Sequence, residues 1–240
     1  MTFDKRKVVY QIYPKSYKDT TGNGIGDLQG IIEKIPYLAK LGVDMVWLNP
    51  FYPSPQHDNG YDISNYTAVN PLFGSMDDFE EMIQVGKEYG IEFMLDMVLN
   101  HCSTEHEWFQ KALAGDNYYQ DFFFLRDEPT DWLSKFGGSA WAPFGDTGKY
   151  YLHLYDVTQA DLNWHNPHVR EELFKVVHFW LDKGVKGFRF DVINVIGKDE
   201  ILENCPENDG KPAYTDRPIV HEYLHMLNEE TFGMNEAIMT

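Results

Sequence analysis

The chain has 240 residues, enough for one large domain or two ordinary ones, and its 43% hydrophobic content can build a sizeable core. The formal net charge is −18, with acidic residues spread along the whole chain, which argues against a nucleic-acid partner and an anionic membrane surface. Cys102 and Cys205 lie far apart in sequence, so a disulfide framework is not indicated and a reducing compartment fits best.

The N-terminus and the apolar runs predict a cytoplasmic protein. The opening residues, MTFDKRKVVYQIYPKSY, include basic residues but lack the apolar segment that a signal peptide needs. No apolar run approaches the roughly 18 residues that span a bilayer. We therefore expect a soluble cytoplasmic protein with no membrane partner.

Four short apolar runs predict buried strands. They are rich in Val, Ile and aromatic residues and nearly continuous rather than alternating, which suits parallel strands covered on both faces. The runs are VVYQIY (8–13), DMVWLN (44–49), IEFMLDMV (91–98) and VKGFRFDV (185–192). The last residues, EAIMT (236–240), resemble the opening of a fifth strand.

Amphipathic helices are predicted between and after these strands, at 28–41, 76–89, 167–183 and roughly 216–230. The first contains Pro36, which predicts a kink or a restart at that point. The second begins with a capping box, because Ser75 is followed three residues later by Asp78.

Strand, helix and strand at this spacing predict the βα units of a parallel sheet. Residues 102–165 are rich in Trp, Tyr, Gly and Asp without a clean helical period, so we interpret them as an inserted subdomain after the third strand. Two barrel segments, 1–101 and 166–240, would flank it. A doubly wound dinucleotide-binding sheet is disfavoured, because GNGIGD (22–27) lies too far from the first strand and has the wrong glycine spacing.

Polar residues collect after the predicted strands, where barrel enzymes place their catalytic groups. We therefore predict an α/β fold that is the N-terminal part of a (β/α)8 TIM barrel, with about four βα units and the start of strand five.

Arg189 and Asp191 are two residues apart on the fourth predicted strand, so both side chains point to the same side. A carboxylate held beside an arginine stays ionised, as a nucleophile that attacks an anomeric carbon must be. The alternative is a buried pair that only braces the sheet, and the residues alone leave both interpretations open.

Several motifs taken together resemble the α-amylase superfamily, glycoside hydrolase family 13. They are, in order, GNGIGDLQGI, NGYDISNY, DMVLNH, QADLNW and GFRFD, and the resemblance runs from Val8 to Thr240. It implies retaining hydrolysis of an α-glucosidic bond, with a saccharide as substrate. It also implies that the insertion, residues 102–165, is the family's domain B and forms one wall of the pocket. Within the superfamily, the sequence resembles the branch that contains trehalose-6-phosphate hydrolases and oligo-1,6-glucosidases.

The resemblance also implies roles for individual residues. Asp191 matches the nucleophile and Arg189 the arginine that orients it, whereas Tyr61, Asp62 and His101 match groups that bind the non-reducing glucose. Asp96 would support Arg189. Asn100 is a metal ligand in calcium-dependent amylases, but is expected to be structural in this branch. Val192 resembles the residue typical of members that act on α-1,6 bonds or on trehalose 6-phosphate.

The expected substrate is trehalose 6-phosphate, which would give glucose and glucose 6-phosphate. The stretches SKFGGSAW (134–141), YYLHLYDVTQADLNW (150–164) and YTDRPIVHEYL (214–224) favour this over hydrolysis of isomaltose-type α-1,6 bonds. A non-catalytic barrel that binds carbohydrate is the alternative from another class. Lys198 is either an exposed loop lysine or a contact of the substrate phosphate.

Retaining hydrolysis needs a second carboxyl group, the acid/base. In the family this glutamate follows the fifth strand, and no glutamate between Glu200 and Glu236 matches it. We therefore expect the 240 residues to be a fragment that is inactive alone and needs the same chain beyond Thr240 to complete the barrel.

The segment DTTGNGIGD spaces oxygen donors at alternate positions, as in the first nine positions of a calcium loop. The donors would be Asp19, Thr21, Asn23, the carbonyl of Ile25, and Asp27. Gly30 stands where a calcium loop has its bidentate acid, so a metal-free Gly- and Asx-rich loop is the alternative. No cofactor is expected to be required.

Overall fold

A computed structural model of the chain describes residues 7–235 and 238–240. The strands and helices are, in chain order, β1 (Val9–Ile12), α1 (Pro14–Tyr17), α2 (Leu28–Leu41), β2 (Met45–Leu48), α3 (Met76–Glu88), β3 (Glu92–Val98), β4 (His101–Ser103), α4 (Glu107–Leu113), α5 (Asn117–Gln120), β5 (Leu125–Arg126), β6 (Trp141–Pro143), β7 (Tyr150–Leu152), β8 (Gln159–Asp161), α6 (Pro167–Asp182), β9 (Gly187–Asp191) and α7 (Ile219–Leu227). Short 3₁₀ turns cover Ile193–Val195 and Glu207–Ala213, and a π turn covers Asn228–Phe232.

The four predicted strands form one sheet in the order β1-β2-β3-β9, and every neighbouring pair is parallel. Helices connect consecutive strands, so this is the first part of a (β/α)8 barrel, as predicted. Met239 forms a parallel bridge to Gly187 on the free side of β9, where the fifth strand was expected. Glu236 and Ala237, the first two residues of that predicted strand, lie outside the described residues.

Apolar helix faces cover the sheet, as the periodicity predicts. Phe79, Met82 and Ile83 of α3 are buried, and the predicted capping box of Ser75 and Asp78 is present. Trp180 of α6 is fully buried, and its ring packs against Phe79 with the centroids 4.9 Å apart.

Helix α2 continues without interruption through Pro36, so the predicted restart is wrong. Ile31 and Ile35 before the proline and Leu38 after it are all fully buried. This continuous apolar face holds both halves of the helix against the core, which compensates for the one backbone hydrogen bond that proline removes.

The segment between β3 and α6 contains two small antiparallel sheets, one of β4 and β8 and one in the order β5-β7-β6. Its apolar core also takes in residues that follow β9. The buried members are Phe124, Trp132, Ala140, Trp141, Leu152, Leu154, Val195, Leu202 and Tyr214. The insertion therefore packs directly on the turn that follows the end of β9. Within 7–235 and 238–240, no helix is long and apolar enough to cross a membrane.

Candidate active site

Arg189 and Asp191 form an ion pair at the carboxyl end of the parallel sheet. Nη1 of Arg189 lies 2.5 Å from Oδ1 of Asp191 and 2.9 Å from Oδ1 of Asp96. Asp96 is the residue of β3 that lies opposite Arg189 in the sheet register, so the two parallel strands bring the three groups together. The side chain of Asp96 is fully buried, whereas that of Asp191 is 15% exposed, so Asp191 is the carboxylate that a ligand can reach.

The other oxygen of Asp96 is also engaged. Its Oδ2 accepts hydrogen bonds from the Tyr61 hydroxyl at 3.0 Å and from Nε1 of Trp47 at 3.3 Å. Burial raises the pKa of Asp96 to about 6, although the positive charge of Arg189 opposes this shift. With both oxygens occupied and no exposed surface, Asp96 is placed to support Arg189 and Tyr61 rather than to touch a ligand.

Tyr61 lies on the loop between β2 and α3 and is connected to this group through its hydroxyl. The hydroxyl donates to Asp96 and accepts from Nδ2 of Asn49 at 2.9 Å. Burial raises the pKa of the phenol, so the hydroxyl stays protonated and the ring orientation is fixed. Because the residue is only partly buried, its ring remains available to a ligand at the rim.

Asp62 is fully buried and organises the loop that precedes it. Its carboxylate accepts hydrogen bonds from the Ser54 hydroxyl at 2.8 Å and from the backbone N–H groups of His57 and Asp58 at 2.9 and 3.1 Å. A carboxylate offers about four acceptor positions, and these contacts use three of them. Its role in sugar binding stays a prediction.

His101 lies at the start of β4, directly opposite Asp161 of β8. Its Nε2 is 3.1 Å from Nε2 of Gln159, and its ring centroid is 5.2 Å from that of Tyr155. Burial lowers the pKa of His101, so the imidazole is neutral at pH 7. Gln159 also donates to Oδ2 of Asp58 at 2.9 Å, which ties the insertion to the loop between β2 and α3.

Sequence reasoning did not single out Asp58, Gln159 or Tyr155. Burial raises the pKa of Asp58, the bond from Gln159 lowers it, and the nearby carboxylates of Asp62 and Asp191 raise it further. Asp58 belongs to the same stretch as the GYD motif, and Gln159 begins QADLNW. These motifs could therefore have pointed to both residues as part of the site. The environment of the site is therefore strongly acidic.

Val192, directly after Asp191, has a left-handed backbone with φ 44° and ψ 33°. A β-branched residue rarely adopts this conformation. It turns the chain from β9 into the 3₁₀ turn Ile193–Val195, so the backbone beside Asp191 is held in one sharp geometry. The predicted influence of Val192 on bond type is a separate matter and stays a prediction.

Lys198 is fully buried, so both interpretations made from the sequence are wrong. Its Nζ lies 2.9 Å from Oδ2 of Asp161 and donates to Oδ1 of Asn100 at 2.9 Å and to the carbonyl of Val195 at 2.7 Å. Asn100 is thus a structural residue that binds an ammonium group. Neither the helical nor the strand periodicity signals a buried lysine.

The predicted calcium donors satisfy their own loop. The carboxylate of Asp19 accepts from three backbone N–H groups within the loop, and Asn23 accepts from the N–H of Ile25. Asp27 is the N-cap of α2 and accepts from Gly30. Across the described residues, no group of three or more His, Cys, Asp or Glu could hold a metal ion. The calcium prediction is not supported, and the metal-free loop accounts for these contacts.

A parallel βα sheet with an insertion after its third strand is the first part of a (β/α)8 barrel, and here it carries an Arg–Asp pair at its carboxyl end. The family model described as "Alpha amylase, catalytic domain" matches residues 11–240, and the chain belongs to this family. Members of the family need no cofactor.

Among its relatives, the chain is similar to the trehalose-6-phosphate hydrolase of Bacillus subtilis strain 168, with 53% identity over 98% of the chain and 43% of the relative. An oligo-1,6-glucosidase of Parageobacillus thermoglucosidasius is 48% identical over 98% of the chain and 44% of its own length. The crystal structure of Bacillus licheniformis trehalose-6-phosphate hydrolase superimposes with a TM-score of 0.96 at 51% identity, covering 100% of this chain and 44% of that one. The chain therefore spans about two-fifths of the length of these relatives.

Proposed function

We propose that this protein is a retaining α-glucoside hydrolase whose substrate is trehalose 6-phosphate, which it converts to glucose and glucose 6-phosphate. The observation that carries the proposal is the contact of one guanidinium nitrogen of Arg189 with both Asp191 and Asp96 at the carboxyl end of the sheet. A purely structural pair would have no need of a partly exposed carboxylate at that end. The proposal needs no cofactor.

Asp191 acts as the nucleophile in this proposal. One of its carboxylate oxygens bonds to the anomeric carbon as the glycosidic C–O bond breaks and the departing oxygen takes a proton from the acid/base group. Water then attacks the same carbon, the ester to Asp191 breaks, and the acid/base group recovers its proton. Arg189 holds the carboxylate in position through the ion pair, because both side chains lie on the same face of β9.

The acid/base group is the second half of the proposal. Asp96 is the carboxyl that shares Arg189 with Asp191, but its two oxygens are engaged by Arg189, Trp47 and Tyr61. We propose that a glutamate beyond Thr240 supplies this group, so that the 240 residues alone are inactive. Hydrolysis of p-nitrophenyl α-glucoside by the isolated 240 residues, lost in Asp191→Asn, would contradict this part.

Two observations support trehalose 6-phosphate as the substrate. The B. subtilis and Escherichia coli K12 relatives of that specificity are each 53% identical to the chain, and the stretch SKFGGSAW resembles that subfamily. An enzyme that degrades a phosphorylated disaccharide would work in the cytoplasm, where sugar phosphates are retained. The second candidate is hydrolysis of isomaltose-type α-1,6 bonds, favoured by the 48% identical oligo-1,6-glucosidase, whereas Val192 is compatible with both candidates.

The discriminating experiment compares kcat/KM of the full-length protein on trehalose 6-phosphate and on isomaltose. We expect trehalose 6-phosphate to be preferred by at least tenfold, because a charged group on the acceptor sugar adds contacts that isomaltose cannot make. A higher kcat/KM on isomaltose would transfer the protein to the second candidate function. If the protein binds glucose but hydrolyses neither trehalose 6-phosphate nor isomaltose, a non-catalytic barrel would be favoured.

A further inference from the structure

A phosphorylated sugar needs a local cation in this protein, because its surroundings are acidic. The chain has a net charge of −18, and the site itself contains Asp58, Asp62, Asp96 and Asp191. A dianionic phosphate ester would be repelled from such a site unless a positive side chain at the rim offset the field. This question rests on the proposed function, since it asks which residue would receive the phosphate of trehalose 6-phosphate.

Arg189 and Lys198 are the two most obvious cations, but neither can bind the phosphate. Arg189 is committed to Asp96 and Asp191, and losing it from that pair would leave two carboxylates without their partner. Lys198 is fully buried and its ammonium already contacts Asp161, Asn100 and the carbonyl of Val195.

Lys135, on the loop between β5 and β6, is placed differently. Its Nζ lies 5.5 Å from the ring centroid of Tyr155 and 5.5 Å from that of Tyr214. Tyr155 is the ring that packs on His101, so Lys135 stands one aromatic ring beyond a predicted glucose-binding residue. The residue as a whole is exposed, although its ammonium is partly removed from water.

The ammonium of Lys135 is held by ring faces instead of by a carboxylate. Its Nζ forms no hydrogen bond or ion pair with any residue in 7–235 and 238–240. The carboxylates of Asp161 and Asp216 are bonded to other residues, Asp161 to Lys198 and Asp216 to Asn194. Cation–π contacts position an ammonium but leave its N–H groups free. These N–H groups can therefore donate hydrogen bonds to an anion.

The loop that presents Lys135 is fixed to the insertion. The backbone N–H of Lys135 donates to the carbonyl of Leu154 at 2.8 Å, and the hydroxyl of Ser134 donates to the carbonyl of Tyr155 at 2.7 Å. A positioned loop loses little freedom when a ligand binds, so the contact can contribute to affinity.

A second cation and an unused hydroxyl lie nearby. Partial removal from water lowers the pKa of Lys135, and the positive charge of Lys211 adds to this effect. Lys211 itself pairs with Asp209, its Nζ lying 3.9 Å from Oδ2. The hydroxyl of Tyr214, whose ring lies under Lys135, is buried and has no hydrogen-bond partner in the described part of the chain.

We propose that Lys135, seated on the rings of Tyr155 and Tyr214, binds the phosphate group of the substrate at the rim of the site. A residue of the insertion thus selects the phosphorylated disaccharide, while residues on the barrel strands perform the hydrolysis.

The test measures kcat/KM of the full-length protein on trehalose 6-phosphate and on p-nitrophenyl α-glucoside, which has no phosphate. We divide kcat/KM on trehalose 6-phosphate by kcat/KM on p-nitrophenyl α-glucoside. In Lys135→Met, we expect this ratio to fall by about tenfold to a hundredfold, because a charge-assisted hydrogen bond to the phosphate is lost. Lys135→Arg, which keeps the charge, should recover most of the ratio. Lys149→Met is the matched control, because Lys149 is an exposed lysine of the same insertion, and its ratio should equal that of the wild type.

A second measurement does not depend on turnover of the phosphorylated substrate. Glucose 6-phosphate should inhibit p-nitrophenyl α-glucoside hydrolysis more strongly than glucose does, and Lys135→Met should remove this difference. If the wild type prefers trehalose 6-phosphate but Lys135→Met keeps both the ratio and the inhibition, the assignment of Lys135 is wrong and the proposed function stands. If the wild type prefers isomaltose, the proposed function fails, and the assignment of Lys135 fails with it.

Discussion

Asp96 shows how a buried residue can determine the chemistry of its exposed neighbours. It has no accessible surface and yet holds Arg189 with one oxygen and Tyr61 and Trp47 with the other. Burying a carboxylate costs free energy that Arg189 only partly offsets, so the pKa of Asp96 is raised to about 6. The geometry of Asp191 thus depends on a group whose ionised form destabilises the folded protein.

The raised pKa gives a pH dependence with a definite sign. The folded protein keeps the proton on Asp96 up to about pH 6, whereas an unfolded aspartate loses it near pH 4. The stability gained from the protonated carboxyl is fully present below about pH 4 and is lost as the pH rises through 6. The relevant quantity is the free energy of unfolding of the wild type minus that of Asp96→Asn. We expect this difference to fall by about 3 kcal/mol as the pH rises from 4 to 6.

Urea unfolding of both full-length proteins between pH 4 and 7 measures this difference. Asn cannot titrate, so the variant removes every pH effect that the two proteins share. A difference that is flat from pH 4 to 6 would mean that Asp96 is ionised throughout.

At the level of elements, Lys198 joins three parts of the chain that are distant in sequence. Its ammonium lies between Asn100 after β3, Asp161 of β8 and the carbonyl of Val195 in the turn after β9. Because β8 pairs with β4 opposite His101, the same cluster fixes the base of the insertion next to the predicted glucose-binding residue.

Removing this ammonium should be costly. Lys198→Met would leave the fully buried carboxylate of Asp161 without its cation, and breaking one side of such a pair typically costs 3–5 kcal/mol. The double variant Lys198→Met, Asp161→Leu should recover much of the loss, because it buries no charge. Lys34→Met, at an exposed position of α2, is the control and should stay within about 0.5 kcal/mol of the wild type. Equal losses in the single and double variants would contradict a role for charge.

The elements themselves could be predicted from the sequence to different degrees. Continuous apolar runs predicted the four parallel strands, because burial on both faces leaves that pattern, and Ser75 with Asp78 predicted the start of α3. For α2, the predicted restart at Pro36 is wrong, since tertiary packing on both sides of the proline outweighed its local effect. The alternative of a kink stays a prediction.

For the molecule as a whole, the sequence motifs predicted the barrel, the insertion and the Arg189–Asp191 pair. They could not predict where long-range contacts would place a charge. Lys198 looks like a surface lysine until β8 and the end of β3 enclose it, and Lys135 gains its position from two rings supplied by distant segments. The left-handed Val192 was equally hidden, because nothing in a β-branched residue signals a positive φ.

The proposed hydrolysis depends on Asp191 being the nucleophile that Arg189 and Asp96 hold in place. The most direct test treats the full-length protein with 5-fluoro-α-glucosyl fluoride, which forms the glycosyl-enzyme ester and releases it slowly, and maps the label by peptide mass spectrometry. We predict that the fluoroglucosyl group is found on Asp191 and that Asp191→Asn acquires none. A label on another carboxylate, or turnover that survives in Asp191→Asn, would contradict the account.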